Sequence, residues 1–220
     1  MHKLLILTFF LVAPAISSAQ GRAQSWEFSV GGIYQAADTS GGQGGSALTV
    51  DDELGFGLNI GYFVSNNLNI SLDLDFISPD YTATLITEPN PPDGSQEIRT
   101  LNHSLSQFNG RFKGTYYITD GPLVPYVEVG FGWTNVDSNV ADGPPQSYCW
   151  WHPWWGYICE SFVETFSSTE TTYGGGIGLR YELPTNSFIK ASYNNWTLDT
   201  GSGRVDPTLE SYRLEFGWRF

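Results

Sequence analysis

Residues 208–220 read Thr-Leu-Glu-Ser-Tyr-Arg-Leu-Glu-Phe-Gly-Trp-Arg-Phe. From Tyr212 every second residue is large and apolar: Tyr212, Leu214, Phe216, Trp218 and Phe220. Ser211, Arg213, Glu215, Gly217 and Arg219 alternate with them. Successive side chains of a strand point to opposite faces, so this segment has one greasy face and one charged face. The pattern finishes on a bare aromatic, Phe220.

The same two-residue period recurs upstream and predicts eight strands. Trp26 to Ala36 places Trp26, Phe28, Val30 and Tyr34 on one face. Leu54 to Ser65 alternates Leu54, Phe56, Leu58, Ile60, Tyr62 and Val64 with Gly55, Gly57, Asn59 and Gly61. Ser65-Asn66-Asn67 is a tight-turn signal. Leu68 to about Ser78 then sets Leu68, Ile70, Leu72, Leu74 and Phe76 against Asn69, Ser71, Asp73 and Asp75. The fourth strand ends near Ile118 and opposes Phe108, Phe112, Tyr116 and Ile118 to Asn109, Arg111, Lys113 and Thr115. Residues 101–107 do not hold that phase, which predicts a bulge or a late start. Pro125 to Val136, a strand ending at Leu183, Phe188 to Leu198 and the terminal strand complete the set. Connections after the second, fourth and sixth strands are short, whereas the others are longer and rich in Gly, Pro, Asp and Ser.

Met1-His2-Lys3 is a basic start, and Leu4 to Val12 is an apolar run too short to span a bilayer as a helix. Ser17-Ser18-Ala19 supplies small residues for cleavage, so residues 1–19 read as a signal peptide and 20–220 as the mature domain. Roughly 200 residues suit one all-β domain. Abundant Gly and aromatics favour short strands and tight turns. The net charge of −13 excludes a nucleic-acid partner, because phosphate binding needs a basic surface.

Alternation alone does not say which face is inside. A soluble lipid-binding barrel puts the apolar face inward, and a membrane barrel does the reverse. The charged faces mix both signs with many Gly, and their signs nearly balance. Asp73, Asp75, Glu128, Glu182 and Glu215 stand against Arg111, Lys113, Arg180, Lys190, Arg213 and Arg219. A lumen must pair its charges because unpaired buried charge is costly, whereas a solvated surface has no such need. The expected fold is therefore all-β: an eight-stranded antiparallel up-and-down transmembrane β-barrel with both ends of the domain on the periplasmic side.

The segments Tyr126-Val127-Glu128-Val129-Gly130-Phe131-Gly132, Gly174-Gly175-Gly176-Ile177-Gly178-Leu179-Arg180-Tyr181 and Leu214-Glu215-Phe216-Gly217-Trp218-Arg219-Phe220 carry a resemblance. With them the mature chain resembles the small eight-stranded outer-membrane β-barrel proteins, the OmpW-, OmpA- and OmpX-like group. The resemblance implies location in a Gram-negative outer membrane, with membrane lipid and lipopolysaccharide as surroundings. It also implies that the apolar face of the terminal strand, Tyr212, Leu214, Phe216, Trp218 and Phe220, is read by the barrel-assembly machinery. A monomer is expected.

Cys149 and Cys159 bracket Trp150, Trp151, His152, Trp154 and Trp155 in the longest outer connection. The export route is oxidising, so the cysteines read as a disulfide, adding somewhat under ~3 kcal/mol by chain entropy. A metal site with His152 lacks a fourth ligand. The tryptophans either pack over the barrel mouth or in an interfacial belt, or they form a contact surface. The lumen charges either plug the barrel or line a narrow polar path, and eight strands leave little room beyond side chains. An enzyme needs a nucleophile, a base and an orienting acid together. The mature chain has only His103 and His152, with Ser104 and Ser106 near the first, and no such set emerges. Asp51-Asp52-Glu53 has no EF-hand spacing. The expectation is a non-enzymatic barrel without metal or cofactor, with a charge-filled lumen and a clasped Trp loop. The alternatives are an OmpW-like conduit for small or apolar molecules and an outer-leaflet lipid-modifying enzyme.

Overall fold

A computed structural model of the chain describes residues 21–41, 47–87, 97–141, 144, 146–162, 165–199 and 206–220. The expected signal peptide, residues 1–19, lies outside the described residues. Among these, thirteen strands occur: β1 Trp26–Gln35, β2 Asp38–Gly41, β3 Ala47–Val50, β4 Glu53–Phe63, β5 Leu68–Ile77, β6 Asp80–Thr87, β7 Glu97–Tyr117, β8 Leu123–Ala141, β9 Gln146–His152, β10 Gly156–Phe162, β11 Thr165–Glu182, β12 Ser187–Asp199 and β13 Thr208–Arg219.

Eight of them close a barrel. β1 pairs with β4, β4 with β5, β5 with β7, β7 with β8, β8 with β11, β11 with β12 and β12 with β13, every pair antiparallel. β13 then returns to β1, with Tyr212 opposite Tyr34 and Trp218 opposite Phe28. Backbone hydrogen bonds of 2.9 Å between Trp26 and Phe220 in both directions fasten the seam's lower end. Closure leaves no barrel edge, as hydrocarbon demands.

The period-two pattern becomes an inside and an outside. Trp26, Leu54, Phe56, Ile60, Phe112, Val129, Phe131, Ile177, Leu214 and Trp218 point outward, while Glu27, Asn59, Asp73, Lys113, Glu128, Arg180 and Glu215 are buried. On β1 the outward band runs from Trp26 to Tyr34, eight residues apart. At ~3.4 Å per residue and the usual 35–45° tilt this is about 20 Å of height, close to the apolar band of such barrels. Aromatics mark its rims. Tyr34, Tyr212 and Tyr193 form an upper row, with ring centroids 6.3 Å and 5.3 Å apart. Trp26 and Tyr62 meet at 5.1 Å below.

Two expectations need correction. The outer connections are not plain loops: β2, β3, β6, β9 and β10 lie in them. β2, β3 and β6 extend the sheet onto β7, and β9 and β10 form a separate hairpin. The fourth barrel strand has no late start. β7 runs unbroken from Glu97, paired with β6 over residues 97–104 and with β5 over 107–116. Its phase changes because its surroundings change. Phe108, Phe112 and Tyr116 face lipid, but Thr100, Asn102, Ser104 and Ser106, on the same side of the strand, lie above the apolar band. The lost alternation marks the membrane edge and not a bulge.

Candidate functional site

The barrel's inward positions bring together all eleven strand charges singled out above. Four acids and four bases meet halfway up. Asp73 pairs with Arg213 at 2.9 Å and Lys113 at 2.6 Å, and it also accepts a hydrogen bond from Asn59. Asp75 pairs with Arg213 and Arg111, both at 2.8 Å. Lys113 donates to both oxygens of Glu128 at 3.1 Å. Glu215 lies 3.2 Å from Lys190 and 3.3 Å from Arg213, and accepts from Ser29 at 2.9 Å. Arg213 thus bridges three acids from one strand. Gly57 makes room for it, since a Cβ there would sit 2.7 Å from the Arg213 guanidinium and 2.8 Å from Asp75.

A second cluster lies beneath, at the end with short turns. Arg180 pairs with Glu27 and Glu182 and donates to the Tyr117 hydroxyl at 3.2 Å. Glu182 also holds Arg22 at 3.0 Å and Arg219 at 3.7 Å. The guanidinium of Arg180 lies 3.6 Å from the centre of the Phe188 ring. Phe63, Tyr117, Val124 and Tyr126 pack as one buried cluster across the same end. Arg180 and Arg22 each therefore have an acid and an aromatic face, which offsets the cost of taking them out of water.

Above the central charges the inward residues become larger and less polar. Trp196 is 2% exposed and stacks on the outer side of Arg111, 4.6 Å from ring centre to guanidinium carbon. Ile33, Ile77 and Leu198 are buried at the same end, and Gln107 links Gln35 and Asn109 across the lumen.

The outer hairpin is built differently. Cys149 and Cys159 are direct cross-strand partners, bonded, with Cα atoms 4.0 Å apart. Trp151 and Tyr157 are the next pair on the same face, so the disulfide braces an aromatic pair. Gly156, at φ 75°, turns the chain back after Pro153-Trp154-Trp155. The His152 ring stacks on Trp155 at 4.4 Å, and the Trp154 N–H donates to His152 Nδ1 at 3.2 Å. Trp151, Trp154 and Trp155 are 72%, 84% and 75% exposed. These three rings stand open, whereas Trp196 is buried in the lumen. The side chain of Trp150 lies outside the described residues.

Other candidates do not assemble. His103 faces Tyr81, with ring centroids 5.7 Å apart. Its neighbour Ser104 projects from the opposite face of β7, as does Ser106. Asp52 accepts a hydrogen bond from Tyr34 at 2.9 Å. Among the described residues no group of three or more His, Cys, Asp or Glu side chains could hold a metal ion.

Residues 8–220 match the family model described as outer membrane protein beta-barrel domain. The chain belongs to that family. Its place is the outer membrane, crossed by strands. Solved structures agree in fold. The attachment invasion locus protein Ail of Yersinia pestis is 16% identical, with TM-score 0.51, over 90% of this chain and 99% of its own. Neisserial surface protein A is 14% identical, with TM-score 0.51, over 88% and 95%. OprG of Pseudomonas aeruginosa is 15% identical, with TM-score 0.53, over 90% and 97%. No curated protein matches the chain.

Several residues of this outer-membrane barrel escaped the sequence reading. Glu27 and Trp196 carry a parity signal, because Glu27 alternates with Trp26 and Phe28, and Trp196 continues Lys190-Ser192-Asn194. Arg22 carries none. It precedes the first strand and reaches Glu182 only because the chain folds back under the barrel, where Gln24 N donates to Phe63 O at 2.8 Å.

Proposed function

We propose that this chain is a non-enzymatic envelope protein whose lumen is closed and whose disulfide-clasped outer hairpin serves as a contact surface. One observation carries the reading: two ion-pair clusters and an aromatic layer bridge the lumen from opposite walls. Arg213 on β13 reaches Asp73 and Asp75 on β5, and Arg180 on β11 reaches Glu27 on β1. The exposed Trp151, Trp154 and Trp155 support the second half, since aromatic anchors dominate contact surfaces. Export by a signal peptide at 1–19, folding through the aromatic face of β13 by the assembly machinery, a monomeric state and lipopolysaccharide around the belt belong to the same reading.

A conduit is the second reading. Ile33, Ile77, Trp196 and Leu198 give the upper lumen an apolar lining, which suits an apolar solute. Their burial favours a packed lid instead. Ail has been solved with the heparin analogue sucrose octasulfate. A polyanion suits this chain poorly, because its own net charge is −13.

Efflux from proteoliposomes tests the choice. Entrapped glycine and entrapped indole should leave at the rate of protein-free vesicles. Faster release of indole alone supports the apolar conduit, and faster release of glycine supports a polar path; either overturns the closed lumen.

A further inference from the structure

The charge of this protein is sorted by height. Among the described residues, the four outer segments, within 36–53, 78–106, 137–171 and 199–210, hold twelve acidic residues and one basic one, Arg99, a net charge of −11. From residue 21 onward the rest of the chain holds seven acids and seven bases. The barrel is neutral and its outer end is strongly anionic. Such a field gathers cations and repels anions over roughly a Debye length, ~8 Å at physiological ionic strength.

The aromatic hairpin belongs to the most one-sided segment. Residues 137–171 contain Asp137, Asp142, Glu160, Glu164 and Glu170 and no Lys or Arg. Trp151 and Tyr157 form one face beside the disulfide, and Trp154 and Trp155 form the tip, all with most of their surface open. Indole faces attract cations, and their area adds apolar contact. The disulfide and the Gly156 turn hold these rings in place beforehand, so little ordering cost remains for binding.

We propose that this hairpin docks cationic amphipathic peptide segments, resting on the reading of the hairpin as a contact surface. Apolar side chains of the partner cover Trp151, Trp154, Trp155 and Tyr157, while its Lys or Arg side chains meet ring faces and the field of the anionic outer end. Charge complementarity selects this occupant. Phosphorylated or sulfated glycans are repelled, a second copy would set one anionic end against another, and a neutral apolar ligand would leave the acids unused.

The test uses the whole protein in nanodiscs of zwitterionic lipid, followed by calorimetry and tryptophan emission. The probes are a short Leu/Lys amphipathic peptide, its Leu/Glu counterpart, spermine and lipopolysaccharide micelles. The Leu/Lys peptide should bind saturably, with Kd raised about tenfold or more in Trp154→Ser/Trp155→Ser. Trp151→Ser/Tyr157→Ser probes the braced face independently, and mass spectrometry confirms that both variants keep the disulfide. Raising ionic strength from about 0.05 M to about 0.3 M should weaken binding several-fold. The Leu/Glu peptide and spermine should bind far more weakly. Equal affinity of the Leu/Lys peptide for wild type and both variants overturns the proposal, as does a Leu/Glu peptide that binds as well. Lipopolysaccharide binding that the Trp variants abolish, without peptide binding, overturns the cationic partner but leaves the contact surface. If no probe responds to the Trp variants, both fall.

Discussion

Arg180 is fully buried and pairs with Glu27, Glu182 and the Tyr117 hydroxyl while lying against Phe188. A buried ion pair is a weak source of net stability, but removing one partner strands the other charge. Glu27→Gln leaves Arg180 with Glu182 as its one acid and should therefore cost about 1–3 kcal/mol, whereas Glu27→Gln with Arg180→Met should cost clearly less. Denaturant unfolding of the refolded barrel in micelles measures both. A double variant no better than the single would show that Glu27 acts by packing and not by charge. Both residues follow strand parity and were readable from sequence, but their pairing was not, because Glu27 and Arg180 lie 153 positions apart and meet only when the barrel closes. Arg22 has neither parity nor proximity and needed coordinates.

At the scale of elements, β7 shows how environment edits a pattern. Its upper half reads poorly as a barrel strand because a membrane rule applies only within the membrane. Lipid-facing charge at mid-depth costs about 2–4 kcal/mol and near the rim about 0–1 kcal/mol. Phe112→Arg should thus destabilise by the larger amount and Thr100→Arg by the smaller, in lipid-vesicle unfolding. Equal effects would place both residues on one side of the boundary. The hairpin β9–β10 has the reverse character. It contributes no strand to the barrel, so Cys149→Ser/Cys159→Ser should leave barrel unfolding unchanged while amide exchange across residues 148–160 accelerates. Loss of barrel stability in that variant would show that the hairpin braces the wall. Sequence made the disulfide legible through compartment and spacing. It did not reveal that Trp151 and Tyr157 share the disulfide's face, which depends on register.

The molecule as a whole is a neutral-cored barrel under an anionic outer end, and this arrangement ties its parts together. Eight strands give an interior that side chains can fill. Four acids and four bases fill the middle, and an aromatic layer with Arg180 fills the lower end. On the proposed reading, function moves to what projects outward. Family and architecture were legible because alternation is strict over most of the barrel. The use of the barrel was less legible, because it depends on which inward side chains touch across the lumen and which tryptophans stay exposed. Single-channel recording of the refolded protein in planar bilayers tests the closed lumen most directly. A Phe188→Ala/Tyr126→Ala/Arg180→Ala variant, which thins the lower layer, serves as the comparison. The wild type is expected to give a flat current trace and the thinned variant brief openings; stable, discrete openings of the wild type would contradict the account.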